Sequence, residues 1–297
     1  MTGAETWSRL GLGTWQFSSH GWRTRLSPAD ASRLVERAAE AGIGWYDTAP
    51  SYGDGRAEAI LGRCAPADAW ICTKVAPDEP NTSKVRSAVR RSLAGSIRRL
   101  GCDRRLLLYL HHPAATVEHT MAYWRAIVEV VEEGWVNAAG LSNCRTETVS
   151  AALQEGPVSV VQNELSILGW SDRLATECDA IRGCGVRVVG YGLLAHGLLG
   201  GRGSDGERRR YPRHDWRAGI VPSGYYEKYF SPSGRSAHAP LLDAIRARAR
   251  HAGRSVAQYA TAWAMQNASV DHWVVGVSST RQLDELTSVT CEAGRPR

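Results

Sequence analysis

The segment WYDTAPSYGDGRAE, residues 45–58, ends a short apolar run on a carboxylate and holds a phenol five residues later, in a loop of Pro, Ser and Gly. Taken singly, Asp47 and Tyr52 read as a strand cap and a surface aromatic. Two more reactive side chains end apolar runs further on: Lys74 closes AWICTK and His111 closes RLLLYLH. Lysine occurs only at positions 74, 84 and 228, so its appearance at the end of an apolar run needs a reason. An acid, a phenol, an ammonium and an imidazole together can deliver a proton to a carbonyl oxygen. A free phenol, with a pKa near 10, is a poor donor at neutral pH. An ammonium about 4 Å from the phenolate is worth roughly 4 kcal/mol at an effective dielectric near 20, or about three pKa units. Lys74 is therefore expected to draw Tyr52 toward neutrality, Asp47 to hold Lys74, and His111 to orient the substrate oxygen.

Bringing four such residues together requires elements that place strand ends on one rim. Apolar runs at 9–15, 43–47, 69–74, 105–111, 136–142, 158–163, 186–191 and 273–277 alternate with amphipathic stretches. Ser27-Pro28 reads as a helix N-cap followed by a first-turn proline, and glycines stand at or just past most helix ends. Eight strands, each followed by a helix, predict a (β/α)8 TIM barrel, a single domain over 1–297, whose reactive groups gather at the C-terminal ends of the strands. A doubly wound sheet is the rival, but Gly11 and Gly13 are not followed by the third glycine of a dinucleotide turn. A long loop after strand 7, residues 200–238, interrupts the alternation, and the next helix is expected to begin at Ala239.

The formal net charge of +6 is spread over several helices, with no single basic tract, which argues against nucleic acid as a partner. No apolar run approaches the ~20 residues of a membrane span, and MTGAETWSRLGLG lacks the features of a signal peptide. A cytoplasmic protein that meets neither membrane nor nucleic acid is expected. The seven cysteines (64, 72, 102, 144, 178, 184, 291) include no CxxC and none of the His spacing that suggests zinc. They read as reduced thiols, and no metal is expected.

The motifs in order resemble the aldo-keto reductase superfamily from about Gly11 to Leu286. DTAPSYGDGRAEAILG is similar to the family segment that carries its catalytic Asp and Tyr, ICTKV to its lysine strand, and LGCDRRLLLYLHHP to its histidine strand. AGLSN, QNELS, GYGLLAHGLLGG and VVGVSSTRQLDEL complete the pattern. The resemblance implies catalysis by Asp47, Tyr52, Lys74 and His111, with NADPH (NADP+) as cofactor and an aldehyde, ketone or alcohol as substrate. It implies that Ser142, Asn143 and Gln162 hold the nicotinamide carboxamide and that Tyr191 stacks on the ring. Thr14, Trp15 and Asp47 complete that end. Phosphates are expected beside Gly192, Leu193, Leu194, Gly197 and Leu198. The adenine end falls to Gly276, Ser278, Arg281, Gln282 and Glu285, with Ser278 and Arg281 near a 2′-phosphate.

Gly192 stands where the family commonly has Ser, Leu286 where it commonly has Asn, and Cys144 where an aromatic is usual. Substrate selection is expected to fall to Trp15, Gln16, residues 20–22, His112 and the 200–238 insertion. Two other classes stay open: a nicotinamide-binding regulatory subunit with little turnover, and a lyase or dehydratase that uses Tyr52 as a base.

Overall fold

The computed structural model describes residues 7–18, 21, 22, 24–101, 104–200, 211–218 and 227–293. Eight strands appear where apolar runs were expected: β1 (Leu10–Gly13), β2 (Trp45–Asp47), β3 (Trp70–Val75), β4 (Arg105–Leu110), β5 (Ala138–Ser142), β6 (Val160–Glu164), β7 (Arg187–Tyr191) and β8 (His272–Gly276). Each pairs in parallel with its sequence neighbour, and β1 also pairs with β8, so the sheet closes into a barrel. The helices are α1 (Pro28–Glu40), α2 (Arg56–Cys64), α3 (Val85–Leu100), α4 (Val117–Glu132), α5 (Thr146–Glu155), α6 (Asp172–Gly183), α7 (Glu227–Phe230), α8 (Pro232–His251), α9 (Val256–Gln266) and α10 (Thr280–Ala293).

Local chemistry sets the helix starts. Ser27 accepts from Asp30 N while Asp30 returns a bond to Ser27 N, with Pro28 in the first turn. Ser255 and Gln258 repeat the box at α9. Thr116 and Ser171 cap α4 and α6. α8 departs from expectation: it begins at Pro232 and runs through Pro240. The pair Ala239-Pro240 looked like a start, yet Ser231 caps the helix one turn and more earlier by accepting from Gly234 N. The stretch between β7 and α8 is correspondingly shorter, and it carries a 3-10 turn at Trp216–Ala218 and the short α7. Residues 201–210 and 219–226 of the expected insertion lie outside the described residues, as does His20.

The two-residue period of a strand sorts the barrel interior into levels. Trp45 and Asp47 share one face of β2; Trp70, Cys72 and Lys74 share one face of β3. Trp70, Trp45, Cys72, Leu107, Tyr109, Ala138, Val160, Val189 and Val274 fill the inside as a cluster distinct from the layer between strands and helices. Gly11 and Gly140 make room for these rings: a Cβ on Gly11 would stand 2.2 Å from the Trp45 ring, and one on Gly140 would stand 2.6 Å from Tyr109. Trp7, ahead of β1, stacks on Trp45 at 4.5 Å between centroids. It closes the N-terminal mouth, a role its place in the chain did not suggest. No helix among the described residues is long and apolar enough to cross a membrane.

Candidate active site

Alternation along the strands carries polar side chains to the C-terminal rim, where a cavity of about 930 Å³ opens. Asp47, Lys74, Tyr52 and His111 all line it. Lys74 Nζ donates to Asp47 Oδ1 at 2.7 Å and to Thr48 O at 2.8 Å, and lies 3.4 Å from the Tyr52 hydroxyl. Lys74 and Asp47 are buried, with side chains 2% and 6% exposed. The loop holding Tyr52 explains its composition. Gly53, Asp54 and Gly55 have φ of 66°, 53° and 83°, a left-handed run that glycine adopts freely and aspartate tolerates. A Cβ on Gly53 would also meet Ser18 Cα at 2.8 Å.

Burial and charge set the protonation states. Burial pushes the Tyr52 phenol above its ordinary value; Lys74 pulls it back and Asp47 adds to the rise. The expected drop toward neutrality does not hold in this pocket, because loss of water around the phenolate outweighs the ammonium 3.4 Å away. Burial pulls Lys74 down, but Asp47 and Tyr52 more than restore it, and the amine stays protonated. Burial, with Lys74 and His112 beside it, lowers His111 to about 3. His111 is thus a neutral imidazole at working pH. It follows β4 directly, its N–H bound to Val75 O, and its carbonyl accepts from Asn143 Nδ2 at 3.0 Å.

The residues expected to hold a nicotinamide converge, with a detail that spacing does not reveal. Gln162 Nε2 donates to Asp47 Oδ2 at 2.7 Å, so the carboxamide of β6 is tied to the acid of β2. That leaves Gln162 Oε1 as an acceptor. Tyr191 donates to Asn143 Oδ1 at 2.7 Å, and Asn143 Nδ2 lies 3.2 Å from Ser142 Oγ. Asn143 has φ of 59°, a conformation asparagine accepts more readily than most residues. Thr14 Oγ1 donates to Asp47 O at 2.8 Å.

Beyond β7, Gly192, Leu193, Leu194 and Gly197 line the cavity. Leu198 does not; it packs against the main core. Glycine at 192 follows from a φ of 76°, and a Cβ there would press on Glu164 Cγ at 3.1 Å. Glu164 in turn accepts from His196 Nε2 and from Lys228 Nζ at 3.0 and 2.8 Å. Burial raises this carboxyl, yet the two partners overcome that and hold it at about 2. Gly276, Ser278, Arg281, Gln282, Glu285 and Leu286 line the far end. Gln282 Oε1 accepts from Ser278 N at 2.7 Å, and Glu285 takes a bond from the Ser255 hydroxyl. Arg281 is exposed at the cavity edge, and Leu286 is buried.

Trp15 and His112, two of the residues expected to select the substrate, line the cavity. Gln16 also lines the cavity, with its side chain against β8: a Cβ on Gly276 would stand 2.3 Å from its Nε2. Trp22 of the 20–22 segment and Tyr211 and Arg217 of the 200–238 insertion line the space as well, and so does Thr24, which had no sequence signal. Arg217 pairs with the fully buried Asp215 and donates to His196 O, and its guanidinium sits 5.0 and 4.4 Å from the rings of Trp22 and Tyr211. It pins the 211–218 segment over the barrel. Trp216 stacks on Trp15 at 5.4 Å as part of the same wall.

Comparison with known proteins agrees with this arrangement. The chain is 30% identical over 286 residues to an uncharacterized oxidoreductase of Mycobacterium tuberculosis, covering 93% of this chain and 82% of that one. It is 27% identical over 306 residues to a probable voltage-gated potassium channel subunit beta of Oryza sativa subsp. japonica, covering 93% and 88%. The structure of a glycerol dehydrogenase from Gluconobacter oxydans matches with a TM-score of 0.75 at 25% identity, over 95% of this chain and 86% of that one. An aldo-keto reductase from Klebsiella pneumoniae in complex with NADPH matches the fold with a TM-score of 0.66 at 20% identity, over 95% and 85%. The model of the Aldo/keto reductase family itself matches residues 9–291, from the first strand into the last helix, and the chain belongs to that family.

Proposed function

We propose that the protein is an NADPH-dependent oxidoreductase that reduces an aldehyde or ketone to an alcohol, or runs the reverse, with Tyr52 as the proton donor. One observation carries this reading: Asp47, Lys74 and Tyr52 form a continuous hydrogen-bonded line beside a neutral His111 in one cavity. The Tyr52 phenol carries its proton at neutral pH, and although burial makes it a weaker acid, Lys74 beside it works against that rise. Lys74 limits the rise, so the phenolate left after transfer is stabilised by an adjacent ammonium. Asp47 holds that ammonium, and His111 supplies a neutral N–H to the substrate oxygen as negative charge develops.

The cavity fits a nicotinamide dinucleotide. Ser142 Oγ–H and Gln162 Oε1 offer a donor and an acceptor to an amide at one end, and Ser278 and Arg281 stand at the other. When bound, NADPH supplies the hydride. The family relationship and the NADPH-bound neighbour support this cofactor. The glycerol dehydrogenase neighbour makes polyols and hydroxylated carbonyl compounds the first substrates to try.

Loss of reduced-nicotinamide absorbance with a panel of carbonyl compounds tests the proposal. Tyr52→Phe should abolish turnover and leave NADPH binding intact. A variant that keeps more than about a tenth of wild-type kcat falls far short of the roughly 10²- to 10⁴-fold expected from a lost general acid, and rejects the mechanism. The rice relative's description favours a second reading, a nicotinamide-binding regulatory subunit. Tight NADPH binding without turnover on any carbonyl would support it.

A further inference from the structure

Glu58 is fully buried and takes no part in the cavity. Its position on α2 is six residues beyond Tyr52, and its carboxylate joins three elements. Glu58 Oε1 accepts from Thr73 Oγ1 at 2.6 Å, and Thr73 is the β3 neighbour of Lys74. Glu58 Oε2 accepts from Arg99 Nε of α3 at 2.6 Å. Three glycines lie against Arg99. A Cβ on Gly55 would stand 2.5 Å from Arg99 Cδ and Nε, one on Gly62 would stand 2.1 Å from Arg99 O, and one on Gly95 would stand 3.2 Å from Nη1. Gly55 is also the last of the three left-handed residues that follow Tyr52.

We propose that Glu58 is a positioning residue: with Thr73 and Arg99 it sets the separation of the Tyr52 hydroxyl and the Lys74 ammonium. This rests on the reading of Tyr52 as proton donor. The route from phenol to ammonium is short. It runs from Tyr52 through the Gly53–Gly55 turn into α2, across the Glu58–Thr73 bond, and one residue along β3 to Lys74. At 3.4 Å the Tyr52–Lys74 pair stands near the outer limit of a hydrogen bond, so a shift of a few tenths of an ångström decides whether it forms. Glu58 bonds Thr73 and Arg99 and not Tyr52, so it works through geometry. An ionised side chain in this position costs desolvation that an apolar residue would avoid, and a well-satisfied buried pair gives one fixed arrangement in return.

Glu58→Gln keeps the shape and one acceptor but gives up the ion pair with Arg99. Thr73→Val cuts the link to β3 and leaves the Glu58–Arg99 pair intact. Both should lower kcat by about tenfold or more, a share of the roughly 10²- to 10⁴-fold worth of general acid–base help. KM and NADPH affinity, read by quenching of tryptophan fluorescence, should stay at wild-type values. The alkaline limb of the kcat–pH profile in reduction should move to higher pH, because a phenol further from the ammonium has a higher pKa. Arg99→Lys should recover part of the rate that Arg99→Met loses. If both Glu58→Gln and Thr73→Val melt earlier yet keep the wild-type kcat and limb, the network only holds the fold and the proposal falls. Should Glu58→Gln fail to fold, Thr73→Val decides alone. Tyr52→Phe assayed alongside separates the two readings. An inactive Tyr52→Phe with wild-type profiles in the other two rejects only the positioning role, and an active Tyr52→Phe rejects both.

Discussion

The two ends of this barrel are made from the same strands by opposite chemistry. At the N-terminal end, Trp45 and Trp70 point inward beneath Trp7, and Trp45 Nε1 donates to Ser8 O at 3.0 Å. The Nε1 atoms of Trp7 and Trp70 have no hydrogen-bond partner among the described residues. Further along the same strand faces, Trp45 gives way after two residues to Asp47, and Trp70, past Cys72, after four to Lys74. There the buried charges are engaged: Asp47 accepts from Lys74 and Gln162, and Lys74 also reaches Thr48 O and Tyr52. One end uses aromatic volume to exclude water. The other spends hydrogen bonds to hold charge in a buried place. The bottom should therefore govern stability and the top should govern rate.

The largest expected effect breaks the top. Lys74→Met should lower kcat by at least about 10²-fold, measured at saturating NADPH, because the phenolate loses its ammonium. It should also cost stability, about 3–5 kcal/mol in urea unfolding, since Asp47 is left as a buried carboxylate without its cation. Asp47→Asn in the same background should return part of that stability and none of the rate.

Breaking the bottom should cost stability alone. Trp45→Ala removes a fully buried ring stacked on Trp7 and should cost about 3–5 kcal/mol. The kcat of the folded fraction should stay near wild type. A large loss of kcat with unchanged stability would show that the ends are coupled and would undo the contrast.

The pH dependence of stability offers a finer probe. His111 is depressed from 6.5 to about 3 by burial, and Glu164 from 4.5 to about 2 by His196 and Lys228. For both groups the unfolded chain binds the proton first on acidification. Their stabilisation is complete above the unfolded values and is lost as pH falls, between about 6.5 and 3 for His111 and between about 4.5 and 2 for Glu164. His111→Gln should flatten the first part of this decline in urea midpoints measured from pH 7 to 4. A decline that keeps its full slope in the variant would mean that another group carries it.

The smallest effects are expected at the exposed periphery. Lys228→Ala, at a side chain half exposed, should change stability by no more than about 1 kcal/mol. Arg281→Ala should weaken NADPH relative to NADH by a few-fold, as for one exposed charge at a helix start worth about 0.3–1 kcal/mol. Equal affinity for both nucleotides in the wild type would remove Arg281 from the 2′-phosphate.

What could be read from the chain alone was whatever is local. Each strand announces itself by a short apolar run between turn residues, and eight of them at helix spacing imply closure. Asp47, Lys74 and His111 are legible because strand ends in a barrel face one rim, and Tyr52 because the loop after the second strand lies on that rim. The start of α8 was missed because Ala239-Pro240 imitates an N-terminus while the true cap, Ser231, sits in a stretch that reads as loop. That the Leu198 side chain packs against the core, while its neighbours line the cavity, was not legible either. Pairings between distant positions had no sequence signal at all. Gln162 meets Asp47 across 115 residues. Glu58 finds Arg99 because Gly62 lets the two helices close at the Arg99 backbone while Gly55 and Gly95 leave room for its side chain. Trp7 caps the barrel only because the closed sheet leaves Trp45 and Trp70 facing it. Periodicity and turn chemistry act over a few residues and so are written in order along the chain. Distances between strand ends, and the balance of burial against charge that holds Tyr52 protonated, exist only once the sheet has closed and water has been excluded.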